Sequence, residues 1–60
     1  MNYKINEVVK VAPKSGSMNG LSFEATIVDI FEWEDPLIYL VEDKDSNFFE
    51  TTESEMSKLN

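Results

Sequence analysis

The sequence predicts an all-β fold, and three observations predict it. Four short runs of β-branched and aromatic residues recur along the chain, which is the composition that strands favour. Clusters of Gly, Pro, Ser, Asn and Asp separate these runs and mark turns. One run moves its apolar residues from one face to the other midway, as a strand does where it bends. With 60 residues, the chain makes one domain, residues 1–60.

The first strand is predicted in the apolar pattern Tyr3–Val11, which breaks at Asn6-Glu7 and resumes at Val8. A loop follows over Pro13–Gly20, because this segment holds one proline and both glycines of the chain. The loop is long for so small a domain, and long loops are often where binding occurs.

The second strand is predicted over Phe23–Phe31 and should be bent. Phe23, Ala25 and Ile27 share one face, but Ile30 lies three residues beyond Ile27 instead of two or four. A strand that is buried on one face needs a bend or bulge to do this, and a small barrel requires such a bend.

The rest of the chain predicts a hairpin and a closing helical turn. Leu37–Val41 is a continuous apolar strand after the turn Glu32–Pro36, Asp43–Asn47 is a hairpin turn, and Phe48–Thr51 returns as a strand. Thr52-Glu53-Ser54-Glu55 matches the capping-box pattern. It predicts one helical turn near Thr52–Lys58, which would bury Met56 and Leu59. The predicted core is Ile5, Val8 or Val9, Val11, Ile27, Ile30, Ile38 or Tyr39, Leu40 and Met56.

This order of elements resembles the SH3-like small β-barrels of small bacterial and phage proteins, and the resemblance covers nearly the whole chain. The pieces that carry it are Tyr3–Val11, Ala25–Ile30, Ile38–Asp43 and Phe49–Met56. The resemblance implies a small five-stranded barrel with a short helical turn near its C-terminus. Such barrels usually carry glycine where Asn6 stands, and asparagine tolerates the same positive φ. A proline-peptide groove is not implied, because the first loop has no aromatic motif.

The charge distribution indicates the kind of partner. From Glu24 to Glu55 there are eleven acids and one base, Lys44, in a chain whose overall net charge is −7. Direct binding of nucleic acid or of an anionic membrane is therefore not expected, because the basic groups that neutralise phosphates are missing. The partner expected for such a chain is a basic protein surface, for instance that of a nucleic-acid-binding protein. A chain that binds the DNA-binding surface of such a partner would act as a DNA mimic.

The composition argues against catalysis and resident cofactors. The chain has no histidine to act as a general base and no cysteine to act as a nucleophile or zinc ligand. Asp43, Asp45 and Asn47 match the first half of a calcium loop, but Phe48 and Ser54 stand where that loop needs glycine and glutamate. We expect a non-enzymatic protein without a metal or cofactor. The lack of cysteine fits a cytoplasmic location, and no apolar run is long enough to span a membrane.

Two sets of residues are candidate partner-binding sites. The acidic set would carry a function such as that of an accessory or inhibitor protein of a phage or mobile element, or it would be only a solubilising surface. Its members are Glu32, Glu34, Asp35, Glu42, Asp43, Asp45 and Glu50. The aromatic set is Trp33, Phe48 and Phe49. It favours an adaptor or a module that recognises methylated side chains, with ordinary cross-strand packing as the other interpretation.

The sequence only partly predicts which aromatic side chains point into the core and which point outward. We favour Trp33 inside the barrel as a plug, with an exposed binding anchor as the alternative. Phe48 and Phe49 are adjacent on a strand, so one faces the core and the other faces outward, near Tyr39 or Phe31. A monomer or a weak homodimer is expected, since an apolar strand at a sheet edge can pair with a second copy.

Overall fold

The computed structural model describes residues 2–17 and 19–59, and the chain is all-β over this part, as predicted. Within these residues, five strands form one antiparallel sheet with the spatial order β4-β3-β2-β1-β5. The strands are β1 at Val8–Val11, β2 at Phe23–Phe31, β3 at Ile38–Glu42, β4 at Phe48–Thr52 and β5 at Met56–Lys58. A three-residue 3-10 turn, Glu53–Glu55, joins β4 to β5.

The sheet is curled but open. Its two edges are β4 and β5, which do not pair with each other within the described residues. The dimensions of the molecule are 26 × 22 × 21 Å. A flat single sheet would be much thinner in one direction, so these dimensions indicate that the twisted strands wrap around the core.

The bend predicted in β2 is confirmed. Ile27 pairs with Val41 of β3, but the next pair joins Asp29 to Leu40, so Val28 is an extra residue on β2. Such a bulge bends the strand and shifts the phase of its side chains. It allows Ile30 to pack against the same core as Ile27.

The core lies on the concave inner face of the sheet. Its buried apolar residues are Tyr3, Val9, Val11, Ala25, Ile27, Tyr39, Val41 and Met56. The predictions for Val9, Val11, Ile27, Tyr39 and Met56 are confirmed, and the predicted core residue Ile30 is partly buried against the cluster.

Two core predictions are wrong. Ile5 is 46% exposed, because the tight turn at Asn6 directs it away, and Tyr3 fills the space with its ring edge-on to Tyr39 at 5.6 Å. Leu40 is only half-buried, because its neighbours Tyr39 and Val41 face inward and place it on the opposite side of β3.

The turn at Asn6 has the geometry that asparagine tolerates. Its φ is 74°, in the left-handed region where glycine is otherwise preferred. The Asn6 N–H donates to the Ile27 carbonyl at 2.7 Å, and the Ile27 N–H donates to the Glu7 carbonyl at 2.9 Å. These bonds continue the contact between the N-terminal segment and β2 beyond β1.

The C-terminal turn is shorter than predicted. The capping-box pair Thr52 and Glu55 is in place, and the Thr52 N–H donates to Oε1 of Glu55 at 3.5 Å. The turn ends after three residues because Met56 pairs with Val11 and begins β5. The prediction of a buried Leu59 is therefore wrong, since this residue is 45% exposed.

Candidate protein-binding face

The sheet has a second face, which points away from the core. We call it the outer face and define it by the strand residues that alternate with the inward-facing ones. It consists of Val8, Lys10, Glu24, Thr26, Asp29, Phe31, Ile38, Leu40, Glu42, Phe48, Glu50, Thr52 and Ser57. Four of these residues are acidic and one, Lys10, is basic.

The centre of the outer face is apolar and is surrounded by carboxylates. Leu40 pairs with Asp29 on one side and Glu50 on the other. Because neighbouring strands lie about 4.8 Å apart, the backbones of Asp29 and Glu50 are roughly 10 Å apart. Glu42 stands two residues further along β3, about 7 Å from Leu40. The base Lys10 is two strands away from Leu40, on β1, where it pairs with Glu24.

Two of the acids outside this face form hydrogen bonds between distant parts of the chain. Oε2 of Glu7 accepts a hydrogen bond from Nζ of Lys58 at 2.9 Å, and this bond is the main reason that the pKa of Glu7 is lowered. Oε2 of Glu53 accepts the hydroxyl of Tyr39 at 2.6 Å, which lowers the pKa of Glu53. Burial and this carboxylate together raise the pKa of Tyr39.

Two further acids organise loops. Oε2 of Glu55 accepts the backbone N–H of Lys14 at 2.9 Å, and this bond is the main reason that the pKa of Glu55 is lowered. Oδ1 of Asp43 accepts the backbone N–H groups of Asn47 and Asp45, both at 2.9 Å, and these bonds lower the pKa of Asp43. The predicted hairpin turn is thereby confirmed, with the Asp43 carboxylate as its organising group.

Most of the predicted acidic site has no such role. Within the described residues, seven carboxylates accept no hydrogen bond and join no ion pair. We call them the free carboxylates: Glu24, Glu32, Glu34, Asp35, Glu42, Asp45 and Glu50. Of the seven acids predicted to bind a partner, Asp43 is the exception, because it is used by its own turn.

The structure places the predicted acids in three groups. Glu42 and Glu50 lie on the outer face. Glu32, Glu34 and Asp35 lie in the β2–β3 turn, at one end of the face, and Asp43 and Asp45 lie in the β3–β4 turn at the other end. The five residues of β3 separate the two turns by roughly 17 Å. The acids therefore form a band along the length of β3, with no single point of convergence.

Trp33 is exposed, and the favoured prediction that it plugs the barrel is wrong. It is 78% exposed, and its ring stacks on that of Phe31 with 5.2 Å between centroids and 27° between planes. The core contains the packed rings of Tyr3 and Tyr39, and Trp33 does not belong to it. The alternative, an exposed Trp33, is confirmed.

The two adjacent phenylalanines lie on opposite faces, as predicted. Phe49 faces inward, where it packs against the core and against Phe23 at 5.1 Å between ring centroids. Phe48 is 59% exposed on the outer face, where it pairs with Glu42. The prediction that the outward-facing phenylalanine lies near Tyr39 or Phe31 is wrong for Phe48, because Tyr39 is buried on the inner face and Phe31 pairs with the opposite end of β3. Phe48 and Phe31 thus do not share an aromatic cage.

Two apolar parts of the surface were not predicted from the sequence. Leu40 forms the centre of the outer face, and Leu21, which is 55% exposed, lines a groove of about 570 Å³ beside Phe23 and the Asp43–Asp45 turn. Leu21 follows Gly20 directly, and an apolar residue between a glycine and a strand is the signal that could have indicated it.

Three further findings concern relationships, membranes and metals. Comparison of the chain with protein-family models, curated proteins and solved structures found no match. Over residues 2–17 and 19–59, the chain forms no helix of the length and apolar character that crossing a membrane requires. The same residues bring together no group of three carboxylates that could hold a metal ion.

Proposed function

We propose that this chain is a small non-enzymatic binding module that docks a basic protein surface on its outer face. One observation carries the proposal: carboxylates surround an apolar centre on the outer face, and within the described residues Asp29, Glu42 and Glu50 join no ion pair. Leu40 forms that centre, between its cross-strand partners Asp29 and Glu50. Protein interfaces commonly have this arrangement, with an apolar core inside a polar rim.

The physical role of the carboxylates is steering and selection. A surface with one sign of charge raises the association rate of an oppositely charged partner and repels partners of its own sign. The apolar centre then supplies affinity when water is excluded from Leu40 and from its half-buried neighbour Ile38.

A basic partner of this kind often binds nucleic acid, and we propose DNA mimicry as the mode of action in that case. The carboxylates of β2, β3 and β4 repeat at intervals of about 7–10 Å across the strands. The acidic turns extend this band at both ends of β3. A partner that holds DNA phosphates in a basic cleft would bind this band instead, so DNA and this protein would compete for it.

We also propose that the curled sheet belongs to the SH3-like small barrels. The bent second strand, the central hairpin and the short helical turn before β5 support this relationship. Amide hydrogen exchange tests this relationship. In a closed barrel β4 and β5 would pair, and the backbone N–H groups that these edge strands point away from the sheet would be protected from exchange. Fast exchange at those amides would mean an open sheet and argue against the barrel.

The test of function compares two double variants with equal changes in net charge. Glu42→Gln with Glu50→Gln removes two charges from the outer face. Ser15→Lys with Ser17→Lys adds two positive charges to the exposed β1–β2 loop, which opens towards the inner face beside Phe49. Binding is measured by calorimetry at about 0.05 M salt against a panel of purified basic DNA-binding proteins, with circular dichroism to confirm folding.

We expect the outer-face variant to weaken binding about tenfold or more, and the loop variant to weaken it by less. Duplex DNA should displace this protein from any partner for which it acts as a mimic. Equal losses in the two variants would show that only net charge matters and would overturn the outer face as the site. Binding that persists unchanged at about 0.5 M salt would also contradict a charge-driven mode.

A second candidate function is an adaptor that docks through exposed aromatic residues. The exposure of Trp33 and Phe48, at 78% and 59%, favours it. An adaptor of this kind should keep its affinity at high salt and lose it in Trp33→Ala, because such an interface is apolar. The charge-driven module should show a steep salt dependence instead.

A further inference from the structure

Trp33 is exposed, and its ring is also stacked on a neighbouring aromatic side chain. It is the one tryptophan of the chain, and one face of its ring is covered by Phe31 at 5.2 Å between centroids. The stack fixes the orientation of the indole, and the 78% exposed fraction leaves the other ring face to solvent. A side chain that is held in place before binding loses less conformational entropy when a ligand arrives.

The turn that holds Trp33 is acidic and well defined. Glu32, Glu34 and Asp35 neighbour Trp33 along the chain, and their carboxylates belong to the free set described above. The Glu34 N–H donates to the Phe31 carbonyl at 3.3 Å, which closes the turn around Trp33. The turn contains no lysine or arginine that could place a cation on the ring.

Another aromatic ring of the protein already shows a cation in this position. Nζ of Lys58 lies 4.6 Å above the ring centroid of Tyr3, and the same nitrogen bonds to Glu7 at 2.9 Å. The arrangement there is an aromatic face, a carboxylate and a cation between them. Trp33 and its neighbouring acids provide the first two of these parts, and the third is not supplied by this chain within the described residues.

We propose that the Trp33–Phe31 stack is a platform for an arginine side chain of the basic partner. This inference rests on the proposed function. A guanidinium is planar, so it can lie flat on the open face of the indole while its edge donates hydrogen bonds to carboxylates such as Glu32 or Glu34. A lysine ammonium is a point charge and is more strongly hydrated, so it gains less from the flat ring face.

The experiment uses two synthetic peptides that differ only in their basic residues. Both have the same length and no aromatic residues, and one carries arginines where the other carries lysines. Binding is measured by calorimetry at about 0.05 M salt. The fluorescence of Trp33 is recorded in parallel, and it reports on this site alone because the chain has no other tryptophan.

We expect the arginine peptide to bind about two- to fivefold more tightly than the lysine peptide and to change the Trp33 fluorescence more strongly. In Trp33→Leu, which keeps an apolar side chain but removes the ring, the two affinities should become equal. Trp33→Phe keeps a ring and should retain part of the preference. Glu32→Gln with Glu34→Gln should weaken both peptides and leave the preference for arginine in place.

Equal binding of the two peptides to the unmodified protein would overturn the platform, and so would a preference that survives in Trp33→Leu. In both cases the proposed function would stand, because the peptides would still bind to the acidic surface. If neither peptide binds to the folded protein at low salt, the proposed function is overturned together with the platform.

Discussion

Two regions of this molecule use the same residue type for different purposes. The meander, residues 23–52, contains β2, β3 and β4 and has nine acids and one base, a net charge of −8. The terminal segments, residues 1–22 and 53–60, have three acids and four bases, a net charge of +1. The net negative charge of the protein therefore comes entirely from the meander, and the terminal segments offset one unit of it.

The bonding of the carboxylates follows the same division. The three acids of the terminal segments each accept a hydrogen bond that joins distant parts of the chain: Glu7, Glu53 and Glu55. In the meander, Asp43 bonds only within its own turn, and Asp29 bonds only to the next N–H, that of Ile30. The carboxylates of the terminal segments join distant parts of the fold, whereas the meander retains uncompensated charge, which is the feature on which the proposed function rests.

The largest effect on stability is expected in the core, to which both regions contribute residues. Val8 and Val9 are neighbours on β1, but Val9 is fully buried and Val8 is 44% exposed on the outer face. Val9→Ala should lower the free energy of unfolding by about 2 kcal/mol, because it removes two buried methyl groups and leaves a cavity. Val8→Ala should change it by less than about 0.5 kcal/mol. Urea denaturation measures both, and similar losses would contradict the assignment of the two faces.

The next largest effect on stability is expected when one carboxylate of each region is replaced by an amide. Glu55→Gln should destabilise the protein by about 1 kcal/mol, since Gln is a weaker acceptor for the N–H groups of Lys14 and Thr52. Glu50→Gln is the matched control on the meander and should be neutral or slightly stabilising, within about 0.5 kcal/mol. Thermal unfolding of both variants at pH 7 is the measurement. A larger loss in Glu50→Gln would mean that the free carboxylates are structural after all.

The pH dependence should reveal the same division. The pKa of Glu55 is lowered in the folded chain, so the unfolded chain binds more protons as the pH falls below the ordinary value of 4.5. Its stabilisation is thus present above about pH 4.5 and is lost as the pH falls through the lowered pKa. The free energy of unfolding of the unmodified protein should therefore exceed that of Glu55→Gln by less and less as the pH is lowered from about 5 to about 3. A difference that stays constant over this range would show that the carboxylate charge of Glu55 does not contribute.

The smallest expected effect is that of salt on the free protein. Screening should relieve repulsion within the meander and raise the free energy of unfolding by about 0.5 kcal/mol or less. Glu42→Gln with Glu50→Gln should reduce this gain, because two of the repelling charges are gone. Melting temperatures in an uncharged buffer with increasing sodium chloride would measure it. Stability that falls with salt would instead indicate that attractive pairs such as Glu7–Lys58 dominate.

Local signals in the sequence predicted much of the backbone. The three-residue spacing of Ile27 and Ile30 indicated the bulge in β2, and the positive φ of Asn6 agrees with the residue type found there. Asp43 marked its turn because a short carboxylate bonds to nearby backbone N–H groups. Each of these features depends on residues that are close together in the chain.

The whole fold determines which side chains of β3 face the core, and it also determines the position of Trp33. Leu37–Val41 has no polar alternation, so the sequence alone could not decide that Val41 faces the core while Leu40 lies on the outer face. Trp33 lies outside the core, whereas Tyr3 is buried against Tyr39, a residue 36 positions away in the chain. Only the assembled sheet brings these rings together.

The contact between Lys58 and the N-terminal segment has a practical consequence for handling the protein. Nζ of Lys58 bonds to the Asn2 carbonyl at 2.6 Å, so the backbones of residues 2 and 58 are separated by no more than the length of one lysine side chain and this bond. A short linker could therefore connect residue 58 to residue 2, and new termini could be opened in an exposed loop such as that around Gly16. The same geometry would allow the sheet to be inserted into a loop of another polypeptide through two adjacent attachment points, with the outer face left uncovered.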